Sequence, residues 1–129
     1  MRKTYTNFYK VNDEEKYKNL LSHLHVTPSY GGFSPMSKMD ERGKELHGLY
    51  TYGPLVMVDD DDKEVELNAF FEEMQTLLPV GEALVWVETT DNDATAIIVT
   101  KDIIESMNLA SWLKTMARAQ DVLNDISVI

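Results

Sequence analysis

The sequence predicts an α+β domain, and three observations support that prediction. Residues 55–67 and 84–100 each contain two runs of strand-forming residues around an acidic turn, which is the pattern of a β-hairpin. Each hairpin precedes apolar residues at helical spacing, and a further strand and helix come before both. We therefore expect an antiparallel sheet built mainly from two β-hairpins, each followed by a helix (ββα-ββα), with an N-terminal strand and helix added.

The two halves of this pattern resemble each other. Leu55–Val58 and Phe70–Met74 are echoed by Leu84–Val87 and Ile103–Met107, at offsets of 29 and 33 residues. A shared ancestry would require an insertion of four residues in the second half. Duplication and chance recurrence of common apolar residues both remain open.

The N-terminal region predicts one strand and one helix. Tyrosine, phenylalanine and threonine alternate roughly between Thr4 and Val11, which favours a strand. Asn12 is the predicted N-cap of the helix, and Thr27-Pro28 is its predicted end. The apolar residues predicted to share one face of this helix are Tyr17, Leu20, Leu21 and Leu24.

Residues 27–37 form the least regular stretch, because two prolines and Gly31-Gly32 interrupt every periodicity. We predict a long loop here. Its apolar residues Tyr30 and Phe33 are binding candidates, since long loops in compact domains often carry function, although such residues also fold back over a core. A short helix is predicted over 38–46, weakened by Gly43.

The first hairpin is predicted from Leu49 onward. The strand 49–58 is interrupted at Gly53-Pro54, because proline cannot donate to a strand ladder. Asp59–Asp62 then forms the turn; the alternative is that Asp61 or Asp62 caps a helix starting near Lys63. Helix 68–78 follows, with Asn68 as the predicted N-cap. The residues on its apolar face are Phe70, Phe71, Met74, Leu77 and Leu78.

The second hairpin joins Leu84–Glu88 to Ala94–Thr100 through a turn at Asp91–Asp93. We predict a helix over 101–124, capped by Thr100. Its apolar stripe changes phase at Asn108, where a kink or a restart is expected.

Composition limits the class of protein. At 129 residues the chain fits a single α+β domain, 1–129. The absence of cysteine excludes disulfides and cysteine-ligated metal centres. No signal-peptide pattern follows Met1, and no apolar run approaches the roughly 20 residues of a membrane-spanning helix. We therefore expect a cytoplasmic protein that does not enter a membrane.

Negative charge is concentrated in the second part of the chain. The net charge is -10, with +2 over residues 1–50 and -12 over residues 51–129. Such a surface repels phosphate backbones, so direct nucleic-acid binding is not expected, whereas basic protein partners would be attracted. The alternative is that the charge serves solubility alone. Attraction between the basic N-terminus and the acidic half of a second copy would give a homodimer.

Catalytic and metal motifs are absent from the sequence. There is no nucleophile elbow, phosphate-binding glycine loop or dinucleotide fingerprint, so we assign no catalytic residue and no cofactor. His23, His25 and His47 are the candidates for a metal site, but residues two apart on a helix do not face each other. The acidic turn lacks the central glycine of a calcium loop. No metal is expected.

The leading hypothesis is a small acidic, non-enzymatic protein-binding module of the accessory, inhibitor or immunity type, such as phages and mobile elements carry. One alternative is an inhibitor that mimics nucleic acid; another is a small hydrolase or ligand-binding domain that uses the 27–37 loop and the histidines. The candidate binding residues are Tyr30, Phe33, Asp59, Asp60, Asp61 and Asp62.

Overall fold

The structure is a computed structural model that describes residues 3–26, 35–89 and 94–108. Within these ranges the chain forms two helices and ten strands. The helices are α1 (Glu14–Leu21) and α2 (Asn68–Leu77). The strands are β1 (Lys3–Thr6), β2 (Leu24–Val26), β3 (Met36–Met39), β4 (Glu45–Gly48), β5 (Tyr50–Tyr52), β6 (Leu55–Val58), β7 (Glu64–Val65), β8 (Leu84–Thr89), β9 (Ala94–Val99) and β10 (Ile104–Asn108).

The strands form three antiparallel sheets. A five-stranded sheet has the order β10-β9-β8-β1-β5, a three-stranded sheet has the order β2-β6-β7, and β3 pairs with β4 alone. The α+β class is therefore confirmed, with strands predominating. The predicted ββα-ββα arrangement is not shown by this order, because the two hairpins belong to different sheets.

The break predicted at Gly53-Pro54 separates two of these sheets. Gly53 has a φ of 97°, a left-handed conformation that favours glycine. The chain leaves β5 in the five-stranded sheet there and enters β6 in the three-stranded sheet. One predicted strand, 49–58, is thus two strands with different partners.

Helix α2 packs on the five-stranded sheet and forms the centre of the core. The rings of Phe70 and Phe71 lie 5.5 and 5.3 Å from the ring of Trp86 on β8, and all three side chains are buried. The predicted inward residues of this helix are confirmed. The predicted cap is wrong: Leu67 occupies the N-cap position, and Asn68 instead donates from its side chain to Glu72.

Helix α1 begins one residue later and ends earlier than predicted. Its N-cap is Asp13, whose side chain accepts from the backbone of Lys16, rather than Asn12. An aspartate also suits the positive end of the helix dipole. The helix ends at Leu21, and Leu24, which the periodicity had assigned to the helix, begins β2.

The predicted helix 38–46 is wrong, because β3 and β4 form a hairpin there. The Asp40 carboxylate accepts from the backbone amides of Arg42 and Lys44, and Gly43 has a φ of 77°. This side-chain-stabilised turn satisfies backbone groups that a helix would have used.

The predicted helix 101–124 is wrong over its first part, because β10 pairs antiparallel with β9. Thr100 Oγ1 does accept from the backbone amides of Asp102 and Ile103, as a helix cap would. The Thr100 amide also donates to the carbonyl of Ile103, which closes a turn that returns the chain along β9. The predicted hairpin of β8 and β9 is confirmed. The turn 91–93 and residues 109–124 lie outside the described residues.

The predicted strand 4–11 ends at Thr6, where side chains replace the sheet ladder. The Asn7 side chain accepts from the amide of Val85 and donates to the carbonyl of Ala83. Thr6 Oγ1 accepts from the amide of Leu49. Thr6 and Asn7 are both buried, and these bonds hold the end of β1 between its neighbours.

Replacing Asn7 with alanine should destabilise the fold by about 2–4 kcal/mol, because the buried amide of Val85 and the partly buried carbonyl of Ala83 would lose their partners. Asn12→Ala is the matched control, since its side chain is exposed and its hydrogen bond to the carbonyl of Thr76 is long, at 3.4 Å. It should cost less than about 1 kcal/mol. Urea denaturation measures both. Equal costs for the two variants would contradict this account.

Candidate functional site

The acidic turn, residues Asp59–Asp62, is an ordered hairpin turn between β6 and β7. Asp59 organises it: its carboxylate accepts from the amides of Asp61 and Lys63, and its own amide donates to the carbonyl of Lys63. Asp62 adopts a φ of 60°, which aspartate tolerates better than most residues. The hairpin prediction is therefore confirmed over the alternative of a helix from Lys63.

The four aspartates of the acidic turn differ in their surroundings. Asp59 is partly buried and its carboxylate bonds within the turn, whereas Asp60, Asp61 and Asp62 are exposed. Asp40 stabilises the β3–β4 turn in the same way, because its carboxylate accepts from backbone amides two and four residues later. Its pKa is lowered by the hydrogen bond from the Lys44 amide and by Lys10, whose Nζ lies 3.1 Å away. One aspartate in each turn is thus structural.

His23 connects the acidic turn to helix α1. Its Nε2 lies 2.9 Å from Oδ1 of Asp60, and its Nδ1 lies 3.0 Å from the carbonyl of Asn19 in the helix. The hydrogen bond with Asp60 raises the pKa of His23 above its ordinary value. The His23 carbonyl also accepts from the amide of Val58, so the backbone is joined at the same place.

The three histidines do not form a shared site among the described residues. His23 contacts Asp60, and His25 lies on β2 opposite Val56. His47, on β4, is buried and lies instead beside two glutamates: its Nε2 is 2.7 Å from Oε2 of Glu14, and its Nδ1 is 3.9 Å from Oε1 of Glu45. One ligand atom from each of these three residues lies within 4.8 Å of the others.

Sequence reasoning missed both glutamates of this cluster. Glu14 is 33 residues from His47, so no local spacing relates them. Glu45 and His47 are two apart, a spacing that places both on one face of a strand. This spacing was not interpreted as a strand pattern because residues 38–46 were predicted to form a helix.

Two tyrosines pack beside the cluster. The ring of Tyr17 lies 4.6 Å from that of His47, and the hydroxyls of Tyr9 and Tyr17 are 2.6 Å apart. Burial raises the pKa of each phenol well above its ordinary value. Both phenols therefore stay neutral and bond to each other.

A second group of tyrosines lies at the β5 edge of the five-stranded sheet. We call it the tyrosine edge and define it as Tyr5, Tyr50 and Tyr52. The rings of Tyr5 and Tyr50 stack at 6.3 Å, and the ring of Tyr52 meets Tyr50 edge-on. Lys3 Nζ lies 5.9 Å from the Tyr52 ring, and Tyr52 is 58% exposed. Exposed tyrosines of this kind are common in protein interfaces.

A shallow groove of about 390 Å³ lies between the segment after α2 and the turn before β10. Val80 and Ile103 contribute exposed apolar surface to it, and Lys101 lines it as well. The predicted loop residues Tyr30 and Phe33 lie outside the described residues.

Neither α1 nor α2 has the length and hydropathy that a bilayer-spanning helix requires. No protein-family model matches the sequence, and comparisons with curated proteins and with solved structures find no significant match.

Replacing Asp60 with asparagine should lower the pKa of His23, because the hydrogen bond that raises it loses its charge. Asp61→Asn is the control and should leave the pKa nearly unchanged. NMR titration of the His23 ring measures both. A His23 pKa that is the same in Asp60→Asn as in the wild type would contradict the pairing.

The pairing also sets the sign of a pH effect on stability. The folded-state pKa of His23 exceeds the unfolded value of about 6.5. The contact between His23 and Asp60 therefore contributes its full stabilisation to the fold below the unfolded-state pKa. That contribution is lost as the pH rises through the folded-state pKa. Solvent screening keeps the effect small, since Asp60 is 96% exposed.

Proposed function

We propose that this protein is a small non-enzymatic binding module that engages a basic region of a partner protein through the acidic turn. The observation that supports it is the arrangement of that turn: the Asp59 carboxylate accepts from the backbone amides of Asp61 and Lys63, while the side chains of residues 60–62 are exposed. Three carboxylates are thus presented on a backbone whose shape is already fixed.

A preformed turn favours binding in two ways. Its backbone loses little conformational freedom when a partner docks, so less of the interaction energy is spent on ordering. Its charges are part of the net -12 carried by residues 51–129, and this negative charge attracts cationic surfaces and speeds encounter. The accessory, inhibitor and immunity classes all act by this kind of protein capture.

Capture of a partner from native cell extract should depend on the acidic turn. The variant Asp60→Asn, Asp61→Asn, Asp62→Asn removes three negative charges from it and should lose most of the partner. At about 1 M salt, where the Debye length falls to about 3 Å, the wild type should lose it as well. Quantitative mass spectrometry of the captured protein is the measurement.

The matched control is Glu41→Gln, Glu66→Gln, Glu73→Gln, which removes the same charge from exposed positions elsewhere. It should retain the partner. The double variant Asp61→Asn, Asp62→Asn keeps the contact between His23 and Asp60, so it separates loss of charge from loss of that contact. If the triple variant and its control lost the partner equally, capture would depend on net charge alone and not on the acidic turn.

Other outcomes distinguish the competing functions. Capture that resists salt and requires Tyr52 would move the interface to the tyrosine edge and contradict the proposal. Displacement of the captured partner by DNA would favour mimicry of nucleic acid. A salt-sensitive dimer in sedimentation experiments would identify the partner as a second copy of this chain.

A further inference from the structure

Glu14, Glu45 and His47 come from two elements that the fold brings together. Glu45 and His47 are on one face of β4, and Glu14 is the first residue of α1. The backbone of His47 exchanges two hydrogen bonds with Tyr9, of 2.9 and 2.8 Å, which fixes β4 beside the segment that leads into α1. The position of the three side chains is therefore a property of the folded domain.

One ring nitrogen of the buried His47 side chain lacks a hydrogen-bond partner. The residue is 5% exposed, and its Nε2 makes no hydrogen bond of acceptable geometry although Oε2 of Glu14 lies 2.7 Å away. Buried polar atoms without a partner are rare in folded proteins and destabilise them. An atom that lies along the lone pair of Nε2 would remove this penalty.

The surrounding charge points to a cation. Among the described residues, the ion-pair contacts of Glu14 and Glu45 are both to His47. Two carboxylates therefore face one imidazole. The neighbouring Tyr17 hydroxyl lies 2.6 Å from that of Tyr9, and a phenol supplies no positive charge to balance the carboxylates.

We propose that Glu14, Glu45 and His47 bind one divalent transition-metal ion, with zinc as the best fit. One imidazole nitrogen and two carboxylate oxygens are accepted zinc ligands, and water would complete the tetrahedron. The imidazole disfavours calcium and magnesium, which prefer all-oxygen sites. This departs from the sequence-based expectation that the chain holds no metal.

The geometry requires both glutamates to adjust. Ligand atoms at about 2.0–2.1 Å from a tetrahedral zinc ion lie about 3.3–3.4 Å apart, so the Glu14 oxygen must move away from Nε2 by about 0.6 Å. The Glu45 oxygen, which lies 3.9 Å from Nδ1, must move toward the Nε2 side of the ring. The Glu14 side chain is 45% exposed and that of Glu45 is 41% exposed. They have room to move, and the ion has a route from solvent.

The function of such a site would be structural. The ion would join the start of α1 to β4, and because the ligands converge only in the folded chain, its binding energy would add to the stability of the fold.

The test uses the full chain, without an affinity tag and stripped with a chelator. Zinc chloride should bind with a stoichiometry of one by isothermal titration calorimetry and should raise the melting temperature, whereas calcium and magnesium should do neither. Loss of residues that only support a metal ligand weakens affinity about 10–100-fold, so Glu14→Gln and Glu45→Gln should each weaken zinc binding by about 100-fold or more.

Two controls separate this site from incidental binding. Glu15→Gln removes a neighbouring exposed carboxylate from the same helix, and His23→Gln removes the histidine that contacts Asp60. Both should bind zinc as the wild type does. His47→Gln should abolish binding; because His47 is buried, circular dichroism must first show that this variant folds.

Several results would overturn the proposal. They are the absence of saturable zinc binding, undiminished binding in Glu14→Gln and Glu45→Gln, or loss of binding in His23→Gln. The first would leave the cluster as an imidazole held between two carboxylates. The acidic turn is untouched by Glu14→Gln and Glu45→Gln, so these outcomes and those for partner capture remain independent.

Discussion

The segment from Thr6 to Asn12 holds the described parts of the molecule together. Thr6 and Asn7 bond to Leu49 and Val85, so β1 is fixed between β5 and β8. Further along, Tyr9 pairs with His47 on β4, and the Asn12 amide donates to Leu77 at the end of α2. Because these bonds span up to 78 residues of sequence, the rest of the fold depends on this segment being in place.

The same segment accounts for the location of the histidine cluster. By leaving the sheet at Asn7, the chain reaches β4 at Tyr9 and then enters α1, which brings Glu14 to His47. The acidic turn is organised differently, because Asp59 stabilises it through bonds to residues two and four positions away. One candidate site thus depends on long-range contacts, and the other forms locally. A change that disturbs β1 should affect the first far more than the second.

The sequence predicted those parts of the fold that rest on local interactions. The two hairpins, the inward face of α2 and the break at Gly53-Pro54 follow from alternation, helical spacing and the missing amide of proline. Errors arose where two local structures use the same residues. Asp40 and Thr100 accept backbone amides in the manner of helix caps, yet each closes a turn between strands. Such hydrogen bonds are common to turns and helix starts, and only the strand partner decides between them.

By itself, the sequence determined the α+β class, the local hairpins and the concentration of negative charge after residue 50, because these depend on residue type and on neighbours along the chain. The tertiary structure decided which hairpin joined which sheet, that Ile104–Asn108 paired with β9, and that Glu14, Glu45 and His47 converged. The physical reason is the same in each case. Backbone pairing and side-chain convergence between distant residues depend on the closure of long loops, and no spacing within the sequence records that closure.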